Sequence, residues 1–146
     1  MKLHQLSVFL ENKPGQLKAV CQALAAEKLN IQTLTLADSK EYGILRLILE
    51  EWERAQAVLA QAGFVAAVTE VLALEVADHP GGLAGVLAVI EEAGLDVEYM
   101  YAFTFGRSDK AVLIFRFDDA DAALAALKAR GVNVVGGVEL FARGVK

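Results

Sequence analysis

Leu6, Val8 and Leu10 alternate with Gln5, Ser7 and Phe9, a period of two that predicts a strand with one core-facing side. Leu17, Val20, Cys21 and Leu24 then recur at helical spacing, and Asn30 closes that helical region. Residues 31–38 and 43–49 predict two strands around the polar turn Asp38-Ser39-Lys40-Glu41. Trp52, Ala55, Val58, Leu59 and Ala62 form a second helical stripe, stopped by Gly63 in the position just past a helix that glycine favours. Residues 64–69 predict a fourth strand.

The second half repeats this order. A strand at 71–77 leads to a helix at 83–93 that ends at Gly94, and strands at 96–105 and 111–117 flank a hairpin turn at Gly106-Arg107-Ser108-Asp109. An alanine-rich helix at 119–130 stops at Gly131, and Asp118-Asp119 suit the positive end of its dipole. A strand at 132–135 follows. The tail Val138-Glu139-Leu140-Phe141 also reads as strand, and it is expected to return and pair beside the first copy.

An internal duplication underlies the pattern. An offset of 66 places Pro14-Gly15 on Pro80-Gly81, Leu17 on Leu83, Val20 on Val86, Leu24 on Ile90 and Ile31 on Val97. An offset of 68 then sets Leu45, Leu47 and Leu49 on Leu113, Phe115 and Phe117. The expected fold is α+β: two ferredoxin-like βαββαβ repeats, 1–69 and 70–146, each an antiparallel sheet with both helices on one face. Neither proline nor glycine separates Gly63 from Asp78, so strand four runs almost straight into the next strand one, without a flexible linker. The other face of each sheet needs cover. Thr33, Thr35, Tyr99, Tyr101 and Phe103 alternate onto it, and a second copy or a partner is the expected cover.

Composition narrows the function classes. Of 146 residues, 55% are hydrophobic, which supplies a large core and argues against disorder. The formal charge of −5 without a Lys/Arg cluster argues against nucleic acid and against a lipid surface. No apolar run reaches the roughly 18 residues that span a bilayer, and the start Met1-Lys2-Leu3-His4-Gln5 lacks the features of a signal peptide. One cysteine excludes an internal disulfide framework, so a cytoplasmic location is expected.

The chemistry concentrates in the two turns that hold the only prolines, Asn12-Lys13-Pro14-Gly15-Gln16-Leu17 and Asp78-His79-Pro80-Gly81-Gly82-Leu83. Each stops a strand, launches a helix and leaves amide donors at the helix start, where an anion is favoured. Asn12 and Asn30 can donate and accept, whereas Asp78 and Asp96 accept only, so the asparagine pair suits a carboxylate and the aspartate pair an ammonium. The bland alternative is that Asn12 and Asp78 cap helices, that Asn30 and Asp96 are turn residues, and that Gly82 gives flexibility or room for a ligand. His79 reads as an exposed turn histidine, His4 carries no assignment, Cys21 is a small core side chain, and Trp52 covers the core. There is no Cys-x-x-Cys, zinc cluster or Walker-type loop, and no assembled nucleophile, base and oxyanion hole. No metal or other cofactor is called for.

Strand, then Asn-x-Pro-Gly-x-Leu, then an amphipathic helix and Leu29-Asn30-Ile31 resembles the ACT domain, a regulatory amino-acid-binding module. Asp78-His79-Pro80-Gly81-Gly82-Leu83 with Leu95-Asp96-Val97 is similar to a second copy, and Glu98-Tyr99-Met100-Tyr101 resembles small stand-alone tandem ACT proteins. The resemblance implies a ligand held where domains associate, with Asn12, Gly15, Gln16, Leu17, Asn30 and Ile31 lining one site. Asp78, Gly81, Gly82, Leu83, Asp96 and Val97 would be the counterparts in the second copy. It also implies sheets joined edge to edge, a homodimer, and a regulated enzyme acted on in trans. Two other readings stand beside this one: a small enzyme using Asp78, His79 and Asp96, and a protein-interaction module in which the turns merely cap helices.

Overall fold

The structure is a computed structural model that describes residues 1–38, 41–103 and 109–143. The expected turn residues Ser39-Lys40 and Gly106-Arg107-Ser108 lie outside the described residues. Contacts divide the chain into two compact units, one of His4–Thr69 and one made of Met1–Leu3 with the chain from Glu70 on.

The first unit contains β1 (Leu3–Glu11), α1 (Gln16–Ala26), β2 (Thr33–Asp38), β3 (Tyr42–Ile48), α2 (Trp52–Gln61) and the start of β4 (Ala66–Ala77). β3 pairs antiparallel with both β1 and β2, setting Val8 opposite Leu45 and Leu36 opposite Leu45 from the other side. The Phe9 N–H donates to the Val65 carbonyl at 3.2 Å, which ties β1 to the approach to β4. The alternation read in the sequence is the burial pattern: Leu6, Val8, Leu10, Leu45 and Leu47 meet Val20 and Leu24 of α1 and Ala55 and Leu59 of α2 in one core. Trp52 packs against that core and stacks on His4 at 4.5 Å between ring centroids, a role not read for this histidine from sequence. On the face opposite the helices, Phe9 and Tyr42 remain 54% and 58% exposed.

β4 is one uninterrupted strand, so the two strands expected at 64–69 and 71–77 are merged. The second unit follows from it with α3 (Gly82–Glu92), β5 (Val97–Ala102), β6 (Lys110–Phe117), α4 (Ala120–Ala129) and β7 (Val134–Val135). β6 lies between β4 and β5, and β7 pairs with the other side of β4. Leu72, Leu74, Val76, Phe115 and Phe117 pack under Val86 and Ile90 of α3 and Ala123 and Leu127 of α4. Each unit is thus α+β, an antiparallel sheet with α1 and α2, or α3 and α4, packed on one face.

Four helix ends share one device. In each, the amide two residues past the C-cap bonds back to the last turn, as Leu29 N–H does to the Leu24 carbonyl and Phe64 N–H to that of Leu59. The left-handed position is glycine at 63, 94 and 131 but Lys28 in the first helix, with φ 58°. The first helix therefore ends earlier than Asn30, the residue expected to close it, because the turn closes at Lys28.

The tail corrects the sequence reading. Residues 138–142 are not a strand but part of α5 (Gly137–Arg143). A two-residue period puts Val138 and Leu140 on one face, yet Val138 is 91% exposed and Leu140 is fully buried. A four-residue stretch with three apolar positions does not fix a period, and in the helix Leu140 is buried while Arg143 makes two ion pairs. Arg143 Nη2 reaches Glu139 Oε1 at 2.5 Å along the helix and Glu75 Oε2 at 2.9 Å on β4. Asn133 Nδ2 donates to the other Glu75 oxygen at 3.0 Å. Glu75 faces away from the helix-covered core, alternating with Leu74 and Val76, so α5 covers the opposite face of its own sheet.

Burial pushes the Glu75 carboxyl up, but the hydrogen bonds from Asn133 and Arg143 and the arginine charge outweigh it and hold the carboxyl below its ordinary 4.5. A depressed folded value stabilises above the unfolded one and is lost as pH falls through the folded value. Acidification below that ordinary value of 4.5 should therefore weaken the attachment of α5. Urea unfolding at neutral pH should show Glu75→Gln destabilised by about 2 kcal/mol, with the acid-dependent loss of the parent protein reduced. An unchanged acid profile would show that this pair does not anchor the helix.

Candidate functional site

The two Pro-Gly turns have nearly the same backbone. Gly15 has φ 90° and ψ −14°, and Gly81 has φ 88° and ψ −9°. Proline before such a glycine makes a type II turn, which requires positive φ at its third residue. The closing bonds are present: Gln16 N–H to the Lys13 carbonyl at 3.3 Å and Gly82 N–H to the His79 carbonyl at 3.0 Å. The Asn12 N–H donates to the Glu41 carbonyl at 2.9 Å, and the Asp78 N–H to that of Asp109 at 2.6 Å, so each turn is anchored to the hairpin beside it.

These turns give α1 and α3 an unusual start. Their N-cap residues are glycines without a side-chain cap, and neither helix has an acidic residue in its first turn. By contrast, Asp119 caps α4 by accepting from the Ala122 N–H at 3.0 Å, and α2 and α4 carry Glu53 and Asp121 in their first turns. Beyond the Gln16 and Gly82 N–H groups, which close the turns, the next first-turn amides of α1 and α3 receive no side-chain cap, and the positive dipole end behind them favours an outside acceptor.

Beside the first turn lies a cleft of about 80 Å³. Asn12, Gln16 and Leu17 line it, together with Leu10, Glu11, Lys13, Leu36 and Gly43. A shallower cleft of about 420 Å³ adjoins it, formed by Glu11, Asn12, Lys13, Glu41 and Tyr42. Lys13 Nζ closes on Glu11 Oε2 at 2.6 Å, and this hydrogen bond holds the lysine above its ordinary value. Gly15 forms the turn behind the cleft without lining it.

Asn30 and Ile31 are not brought there. They follow the far end of α1, an 11-residue helix roughly 16 Å long, and Ile31 packs against the first core. Within one chain Asn12 and Asn30 therefore do not converge. Asp78 and Asp96 are separated in the same way by α3, with Asp96 and Val97 at its far end and Gly81 and Leu83 at its start. Leu36 and Gly43 were missed from sequence. The one legible signal was a glycine inside a strand, which marks close approach: a Cβ on Gly43 would stand 3.2 Å from Leu36 Cδ1.

The second turn differs from the first in its packing. A Cβ on Gly82 would come within 1.9 Å of the Ala77 carbonyl oxygen, whereas Gln16 occupies the matching place in the first copy. The lack of a side chain at Gly82 is thus accounted for by its own strand. His79 Nδ1 lies 2.9 Å from the Pro80 carbonyl oxygen and binds the turn's own backbone.

The family described as an ACT domain pair matches residues 1–141. The chain belongs to that family. The crystal structure of protein BT0572 from Bacteroides thetaiotaomicron is 33% identical over 97% of this chain and 96% of that one, with a TM-score of 0.89. The ligand-free regulatory subunit of aspartate kinase from Thermus thermophilus is 17% identical over 90% of this ACT pair and 92% of that chain, with a TM-score of 0.64. Escherichia coli aspartokinase III, in complex with lysine and aspartate, is 14% identical over 88% of this chain and 31% of that one, with a TM-score of 0.51. The last two likenesses are of fold alone. No curated protein matches the chain. Among the described residues, no group of three or more His, Cys, Asp or Glu could hold a metal ion, and no helix is long and apolar enough to cross a membrane.

The glycines of α3 provide a direct check on the turn. Gly82→Ala forces a backbone shift and should destabilise by about 2 kcal/mol. Gly85→Ala, with nothing within 4 Å of its added carbon, should stabilise by about 0.5–1 kcal/mol. Thermal unfolding of the two variants should move in opposite directions; equal shifts would contradict the close approach.

Proposed function

We propose that this ACT domain pair is a non-catalytic regulatory module that binds a small amino acid at the first Pro-Gly turn. The observation that carries it is the start of α1, uncapped and free of first-turn acids, opening beside a cleft that has both polar and apolar walls. The ligand carboxylate takes the Leu17 and Lys18 amides, beyond the Gln16 N–H that closes the turn, and the Asn12 and Gln16 side chains supply donors and acceptors for its head group. Asn30 and Ile31 join such a site only from a second domain set against the turn, which is why the module is proposed to act as a homodimer.

The fold it shares with the regulatory subunit of an aspartate kinase supports action in trans on an enzyme of amino-acid metabolism. An acid–base enzyme reading loses its support, because α3 holds Asp78 and Asp96 apart. The exposed Phe9 and Tyr42 favour a protein contact as well, and this is compatible with the regulatory role.

A thermal-shift series over the twenty amino acids tests the proposal. A ligand at 100 times its Kd should stabilise the protein by about 2.7 kcal/mol. Asn12→Ala should weaken that ligand about tenfold, and Asp78→Ala should leave it unchanged. No shift from any amino acid at millimolar concentration would overturn the proposal.

A further inference from the structure

We infer that the outer face of α3 seats a second copy of this chain, with the two α3 helices antiparallel across a two-fold axis near Leu87 and Ala88. This contact lies apart from the first turn and does not rest on a ligand there.

The observation that carries it is a loss of polarity in one copy only. From Gly81 to Ile90 the chain has no polar side chain, although Leu83, Ala84, Leu87 and Ala88 all lie on the exposed side of the helix. Leu83 and Leu87 are 40% and 36% exposed. The duplication supplies the comparison. At the offset of 66, Ala84 and Ala88 stand where α1 carries Lys18 and Gln22, both exposed. The outer sides of α2 and α4 likewise carry Glu53 and Arg54, and Asp121 and Lys128. A helix that is apolar all round belongs between two packed layers. Val86 and Ile90 face the core of their own unit, which leaves the outer side to another chain.

Charge selects the occupant. The start of α3 is uncapped and has no acidic residue in its first turn, whereas Glu91 and Glu92 sit exposed in its last turn. Acids there oppose the helix's own dipole and favour the positive start of another helix. An antiparallel copy supplies that start twice. Ala84, Ala88 and Glu91 follow one another at helical spacing, so pairing Leu87 with the other copy's Ala88 also sets Glu91 beside the other copy's Ala84. The alanines let the two backbones come close, and the leucines pack beside them. A lipid surface does not fit, since α3 offers acids and no lysine or arginine.

Sedimentation equilibrium of the full chain over a concentration series tests this. One helix from each copy makes a small interface, so a dimer should form in the upper micromolar range and dissociate on dilution. Leu87→Glu, at an exposed position, should weaken it at least about tenfold, with the far-ultraviolet circular dichroism of the parent retained. In a Cys21→Ala background, Ala84→Cys mixed with Glu91→Cys should form a disulfide-linked dimer under mild oxidation, and neither should link to itself. A monomer throughout the series would overturn this contact and the proposed homodimer together. A dimer as tight with Leu87→Glu as without it would overturn the α3 contact and leave the homodimer standing. Self-linked Ala84→Cys would overturn the antiparallel arrangement.

Discussion

The turn from strand to helix is the constraint on which the rest of each repeat depends. Proline fixes the second position of a type II turn and glycine accepts the positive φ of the third. The helix therefore begins within a few residues of the strand end and folds back over the sheet, setting Val20 and Leu24, or Val86 and Ile90, onto the core. The same geometry makes the N-cap a glycine, and a glycine cannot cap with a side chain. A fold requirement thus leaves polar backbone at the surface in both copies, and a binding function can use it.

Duplication supplied two such turns, and the surroundings have made them unequal. In the first, Gln16 follows the glycine and a cleft opens towards Leu36 and Gly43. In the second, Gly82 packs against the Ala77 carbonyl, and an aspartate replaces the asparagine before the turn. The sheet faces diverge too. In the second unit α5 covers the face that carries Glu75, whereas Phe9 and Tyr42 stay exposed on the corresponding face of the first. On the proposed account the first copy is the sensor, and the second is shaped more by packing.

Most of the fold was legible because long alternating and helical stripes leave little choice. Leu6-Val8-Leu10 and Leu17-Val20-Leu24 fix their elements by period alone, and the matched prolines expose the repeat. The tail was not legible. Val138 to Phe141 is too short to show a period, and its helix depends on Glu75, which is remote in sequence. The end of α1 was misplaced for a related reason: Lys28 takes a left-handed position that glycine marks after α2, α3 and α4. At the cleft, Asn12, Gln16 and Leu17 are local to the motif. Leu36 and Gly43 reach the cleft through strand pairing, and no motif announces them.

The most direct test of the central claim is an amide chemical-shift titration of the ¹⁵N-labelled protein with the amino acid that gives the largest thermal shift. The account predicts the largest changes at Gln16, Leu17 and Lys18 and at Leu36 and Gly43, with the amides of Gly82 to Ala84 unmoved. Changes concentrated at Gly82 to Ala84, or spread over α5 with the first turn silent, would contradict it.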